Sequence, residues 1–228
     1  EALLRWRHPD KGIIMPGDFI QIAEESGQIL EIGNWVLKQA ILQLSAWQKQ
    51  GLPDTFKRLA VNISPLQFMQ VDFVDRLLNM LEETQLSGLL LELEITENML
   101  LNNFDIASSK MKLLKQRGIS FAIDDFGTGY SSLAYIKKMP IDVIKIDKSF
   151  VFGMLENHAD YQIIMSTIAM VKNLDLMVVA EGVETAAQLR SLTENNCDII
   201  QGYYFSKPIP EIELTEFIKT HIYDGYWK

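Results

Sequence analysis

Along this chain, short β-branched or leucine-rich runs that end in polar residues alternate with longer amphipathic stretches, and no other feature restricts the fold so strongly. The runs are Leu59 to Ser64, Leu89 to Thr96, Ile119 to Phe126, Val143 to Asp147, Leu176 to Val183 and Asp198 to Phe205. Between them lie helical patterns such as Phe73 to Thr84 and Ile106 to Arg117, the second closed by Gly118 as a C-cap. Ser64 and Pro65 read as an N-cap followed by proline at the first helical position. Alternation at this spacing implies parallel strands joined by helical crossovers, hence an α/β fold. No linker or low-complexity tract interrupts residues 1–228, which therefore read as a single domain.

Two topologies satisfy the pattern, an open doubly wound sheet and a closed barrel. In the first, ligand residues cluster where strand order reverses; in the second, every strand end faces one mouth. Here nearly every run closes on a chemical group: Asn62, Glu94 with Glu97, Asp124 with Asp125, Lys145 with Asp147, Glu181 with Glu184, and Gln201. That distribution favours a barrel. Counting Ala2 to Arg7 as a further strand leaves such a barrel one short of eight, so the expectation is a modified (β/α)8 barrel whose first strand precedes Glu1, in a chain trimmed from a longer multidomain protein.

Composition excludes several functions. Thirty acidic against twenty-one basic residues give a net charge of -9, which argues against a DNA or RNA groove. Cys197 is the only cysteine, so there is neither a disulfide framework nor a cysteine-based zinc site, and a reducing, cytoplasmic setting is expected. No stretch approaches the roughly 20 apolar residues of a membrane span.

Asp124 and Asp125 pose the sharpest chemical question, because adjacent strand residues point to opposite faces. A bend at the strand's end would bring both to one mouth, and two carboxylates so close need a cation or a shared proton. Hard divalent ions such as magnesium or manganese prefer oxygen ligands, which Glu1, Asn62, Glu94, Asp124, Asp125 and Glu181 supply. Two metals roughly 3.5–4 Å apart can activate a water and stabilise both oxygens of an in-line phosphoryl displacement. Gly127 and Gly129 flank Thr128 and allow a sharp loop above the site.

"EALLRW" at Glu1, "NIS" at Asn62, "ELEITE" ending at Glu97, "DDFGTGYSS" at Asp124, "IKID" around Lys145, "AEGVE" at Glu181 and "QGYYFSKP" at Gln201 together resemble the EAL-domain family of cyclic di-GMP phosphodiesterases. The resemblance implies a modified TIM barrel in a bacterial cytoplasm. It implies an enzyme that uses magnesium or manganese, with calcium inhibitory, to hydrolyse cyclic di-GMP to linear pGpG. By the same resemblance Glu1, Asn62, Glu94 and Asp124 bind one metal, and Asp124 bridges to a second held by Asp125 and Glu181. Lys145 would polarise the attacking water and Gln201 would orient water or substrate. Glu97 would anchor the loop carrying Asp124 and Asp125, Arg5 would contact a phosphate, and Asp147 and Glu184 would face the substrate. A homodimer and an upstream sensory or cyclase domain are also implied, the latter able to anchor the full protein to a membrane that this domain does not touch.

Each residue alone has a plainer reading. Glu1 could be a solvated terminal acid, Asn62 a turn residue, Glu94 and Glu97 a helix start, Lys145 and Asp147 a surface pair, and Arg5 part of a rim salt bridge. His8, His158 and His221 match no ligand pattern, and Trp6, Trp35 and Trp47 read as core or interface. Two other functions fit the motifs less well: a catalytically silent cyclic di-GMP receptor, and a magnesium barrel enzyme that stabilises an enediolate with Lys145 as base.

Overall fold

The computed structural model describes residues 1–97, 99, 103–127 and 136–220. The chain forms two compact units, one from Glu1–Leu93, Leu113–Ile119 and Pro208–Lys228, the other from Glu94–Lys112 and Ser120–Lys207.

In the first unit β1 (Trp6–His8) and β2 (Gly12–Ile14) make an antiparallel hairpin, with Trp6 opposite Ile14. His8 holds its turn, its Nδ1 accepting from the amides of Asp10 at 3.1 Å and Lys11 at 3.3 Å. The helix Ile29–Gln50 buries Leu37, Ile41, Leu44 and Trp47 along one face, and the helix Phe73–Thr84 buries Phe73, Leu77 and Leu81 in the same way. The second of these spans the range read from the periodicity. After β3 (Leu59–Asn62), the Ser64 hydroxyl accepts from the Gln67 amide at 3.2 Å and Pro65 opens the helix Pro65–Met69, as expected.

β4 (Leu91–Thr96) runs from the first unit into the second and starts two residues later than the apolar run. Gly88–Leu90 form a 3-10 turn instead, because the chain there presses on a neighbour: a Cβ on Gly88 would lie 2.1 Å from the Arg117 carbonyl oxygen. The helix expected over Ile106 to Arg117 spans Phe104–Lys115, and Gly118, at φ +84°, follows its end with its amide donating to the Lys115 carbonyl at 2.9 Å.

The second unit contains β5 (Ser120–Phe126), β6 (Val143–Ile146), β7 (Met177–Ala180) and β8 (Ile199–Ile200), paired in parallel. Phe121, Ala122, Ile123 and Ile144 are fully buried, the two-faced burial typical of parallel strands covered by helices. Within the second unit, hydrogen bonding follows chain order from β4 to β8 without reversal. A doubly wound sheet reverses its order at a switch point, and these strands have none.

Some boundaries differ from the expectation. Ala2 to Arg7 is not one strand: Ala2 makes an isolated parallel bridge to Val61, and the chain then turns into the β1 hairpin. Hydrophobicity continued past Ala180 and Ile200, but the chain leaves the ladder at both points because Gly182, at φ +72°, turns it and Gly202 packs against Val183. Trp47 is core, donating from Nε1 to Thr215 Oγ1 at 2.9 Å, whereas Trp6 and Trp35 are about half exposed. Among the described residues no helix is long and apolar enough to cross a membrane.

Candidate active site

Lys145 is the third residue of β6, and its side chain is 2 % exposed. Its Nζ lies 2.5 Å from Glu94 Oε1 on β4, 2.7 Å from Glu181 Oε1 just past β7, and 3.4 Å from Asp124 Oδ1 on β5. The parallel ladder makes this convergence: Ile146 pairs with Ala180, and the Glu181 amide donates to the Ile146 carbonyl at 3.2 Å. Burying an ammonium without partners would lose several kcal/mol, so the lysine is tolerable only inside this ring of carboxylates. Three carboxylates thus converge on one ammonium.

The strand end at Asp124 and Asp125 is bent. The β5–β6 register shifts between Ile123 and Phe126, and Asp125 takes φ +53°, followed by Gly127 at φ +97°. Such a bulge breaks the alternation of faces, which is the device expected for bringing neighbouring carboxylates to one end. Asp125 also donates its amide to Asp124 Oδ1 at 3.0 Å. Partial burial pushes the Asp125 carboxyl above its ordinary pKa, with the charges of Asp124 and Asp147 and a hydrogen bond to Asp147 adding to the shift while Lys145 opposes it.

Asp147 has a structural task as well: it is the N-cap of the helix Lys148–Gly153, its Oδ1 accepting from the Ser149 amide at 3.0 Å. Glu97 is buried one residue beyond β4. Glu184 is exposed on the loop after β7, and Gln201 follows β8, its backbone accepting from Val183 at 3.1 Å and donating to Ala180 at 2.9 Å. In the first unit Asn62 Nδ2 donates to Glu1 Oε1 at 2.7 Å, so these two expected ligands stand together. Arg5 donates from Nη1 to the neighbouring Leu4 carbonyl at 2.7 Å. Thr128, Gly129 and His221 lie outside the described residues.

Carboxylates are donors that hard divalent ions select, and three of them converge on Lys145. Among the described residues no three His, Cys, Asp or Glu side chains form a ready-made metal cage; an ammonium already lies where Glu94, Asp124 and Glu181 meet. Sequence reading missed Gln188, Asp142 and Asp198. Only Gln188 carried a signal, since Thr185 three residues before it completes a capping-box pattern.

The family model for the EAL domain matches residues 1–208. The chain belongs to the EAL domain family. This EAL domain is 42% identical, over 225 residues, to cyclic di-GMP phosphodiesterase NbdA of Pseudomonas aeruginosa, covering 99% of this chain and 28% of that protein. It is 36% identical over 222 residues to cyclic di-GMP phosphodiesterase PdeR of Escherichia coli, covering 97% of this chain and 33% of PdeR. The chain thus spans about a third or less of these relatives. Among solved structures, the cyclic di-GMP complex of the PaMucR phosphodiesterase superposes with TM-score 0.88 at 40% identity, over 93% of this chain and 85% of that one. The FimX EAL domain from Pseudomonas aeruginosa bound to cyclic di-GMP gives TM-score 0.81 at 26% identity, over 90% and 81% of the two chains. The EAL domain therefore has the α/β fold of its family, a modified TIM barrel, as the order of its motifs implied.

Proposed function

We propose that this EAL domain hydrolyses one phosphodiester of cyclic di-GMP to give linear pGpG, using two magnesium or manganese ions. The observation that carries the reading is the buried Lys145 ammonium held by Glu94, Asp124 and Glu181, with Asp125 beside them. Relatives named as cyclic di-GMP phosphodiesterases and a solved cyclic di-GMP complex support the substrate.

Glu94, Asp124, Asp125 and Glu181 would hold the ions, and the family pattern adds Glu1 and Asn62. When bound, such ions supply Lewis acidity for the phosphoryl oxygens and lower the pKa of a coordinated water. The chain's own residues do the rest. Lys145, fixed by its carboxylates, donates hydrogen bonds toward the attacking water and restrains the proton that leaves it. Glu97 keeps the bulged end of β5 in place. Arg5 offers a phosphate a planar, permanently charged fork, and Asp147, Glu184 and Gln201 line the substrate's approach.

The chain works as part of a longer cytoplasmic signalling protein that forms a homodimer. Chromatography of cyclic di-GMP incubated with the purified, manganese-loaded protein tests the activity: pGpG must accumulate, and calcium must suppress it. Saturable binding with no pGpG would identify a silent receptor instead.

A further inference from the structure

Glu181 sits on a loop whose backbone is gripped at several points. Gly182 is turned at φ +72° and lies hard against the helix Lys148–Gly153: a Cβ there would be 2.5 Å from Lys148 Cβ and 3.4 Å from the Phe152 ring. Gln188, 6% exposed, accepts at Oε1 from the amides of Glu184 at 2.9 Å and Thr185 at 3.0 Å. Thr185 Oγ1 returns the contact, accepting from the Gln188 amide at 3.2 Å, which completes a capping box for the helix Ala186–Glu194. A capping box requires only an acceptor at this position. Gln188 does one thing more: its Nε2 donates to the Val151 carbonyl at 3.0 Å, on the helix that follows Lys145 and Asp147.

One buried amide therefore links the loop after Glu181 to the helix after Lys145. The bond joins the two segments whose side chains meet as Glu181 Oε1 and Lys145 Nζ at 2.7 Å. Resting on the reading of this cluster as the catalytic site, we propose that Gln188, with the helix it grips, is a positioning residue that holds Glu181 in register with Lys145. Capping alone could be done by glutamate, whose carboxylate accepts both amides but cannot donate to a carbonyl. The amide donor is what the second task demands.

Gln188→Glu separates the two tasks. In chelator, without metal or substrate, the Thr185 amide should exchange with solvent at the wild-type rate because the cap survives. The Glu181 amide, bonded to the Ile146 carbonyl, should exchange faster. With manganese, kcat for cyclic di-GMP should fall at least about 10-fold with KM little changed, as expected for a misaligned reacting group. Wild-type exchange at Glu181 and wild-type kcat overturn the proposal. If Thr185 also loses protection, Thr185→Ala decides, since it removes the hydroxyl cap and keeps the amide donor: wild-type exchange at Glu181 in that variant supports the tether, and exchange as fast as in Gln188→Glu sinks it. A wild-type protein that never cleaves cyclic di-GMP refutes the function while leaving the exchange measurement to judge the tether.

Discussion

Carboxylates at the two ends of the second unit's strands are treated in opposite ways. At the entry to β6, Asp142 Oδ2 accepts from the Phe121 amide at 2.9 Å and the Ser120 hydroxyl at 3.2 Å. At the entry to β8, Asp198 Oδ2 accepts from the Val178 amide at 2.9 Å while Oδ1 pairs with Lys172 at 2.5 Å. Each of these acids thus meets its own donors and staples one strand to the preceding one. At the other ends Glu94, Asp124 and Glu181 all reach the Lys145 ammonium, and Asp125 stands beside them. Acids of the first kind hold the ladder together, whereas those of the second kind gather around a buried lysine. Under the proposed function the second kind would take up metal ions, so the same residue type would serve structure at one end and chemistry at the other.

The largest effects are expected at the ends where acids meet Lys145. Glu181→Gln or Asp124→Asn should abolish cyclic di-GMP turnover with the circular dichroism spectrum intact, and retained turnover in either would remove the distinction. Lys145→Met should slow turnover at least ~10²-fold. Without metal it should also destabilise the chain by about 3–5 kcal/mol, because it strands buried carboxylates; an undiminished rate would show that the lysine only neutralises charge. Glu97→Ala should reduce kcat without a large change in melting temperature, and full activity would end its role as loop anchor.

Asp142→Ala should cost about 1–3 kcal/mol by orphaning the Phe121 amide. That is a fall of roughly 2–4 °C in Tm per kcal/mol for a chain of this size, with kcat unchanged. Asp125→Asn in chelator should raise Tm slightly, since asparagine tolerates the positive φ and removes a repelled charge. The sign follows from linkage: a carboxyl whose pKa is raised on folding binds more protons in the folded state, so its ionisation takes stability away as pH rises through that range. A variant less stable than wild type in chelator would mean that Asp125 is satisfied where it stands.

Much of this was legible along the chain, because a strand's polar terminus and a helix's apolar period are local patterns. Asn62, Glu94, Asp124, Lys145 and Glu181 each closed an apolar run, and the helix Phe73–Thr84 was bounded by its own periodicity. Strand ends were less readable. Ile199 and Ile200 pair with β7, but the apolar residues Tyr203, Tyr204 and Phe205 that follow do not, because the turn at Gly202 is set by contact with Val183. Nothing in the sequence around Asp142 or Asp198 says that their oxygens reach the backbone of another strand. Gln188 showed its capping role through Thr185, yet not its reach to Val151, 37 residues away.

The order of elements, the excess of acid over base and the oxygen-rich character of the donor set belong to the sequence, since covalent order and side-chain chemistry need no folding to exist. Folding alone decided which carboxylates share Lys145, which are quenched by backbone amides, and that β5 bulges so that neighbouring aspartates escape the alternation of the pleat. Those outcomes depend on register between strands distant in the chain, and register is settled by packing summed over the whole unit rather than by any short segment.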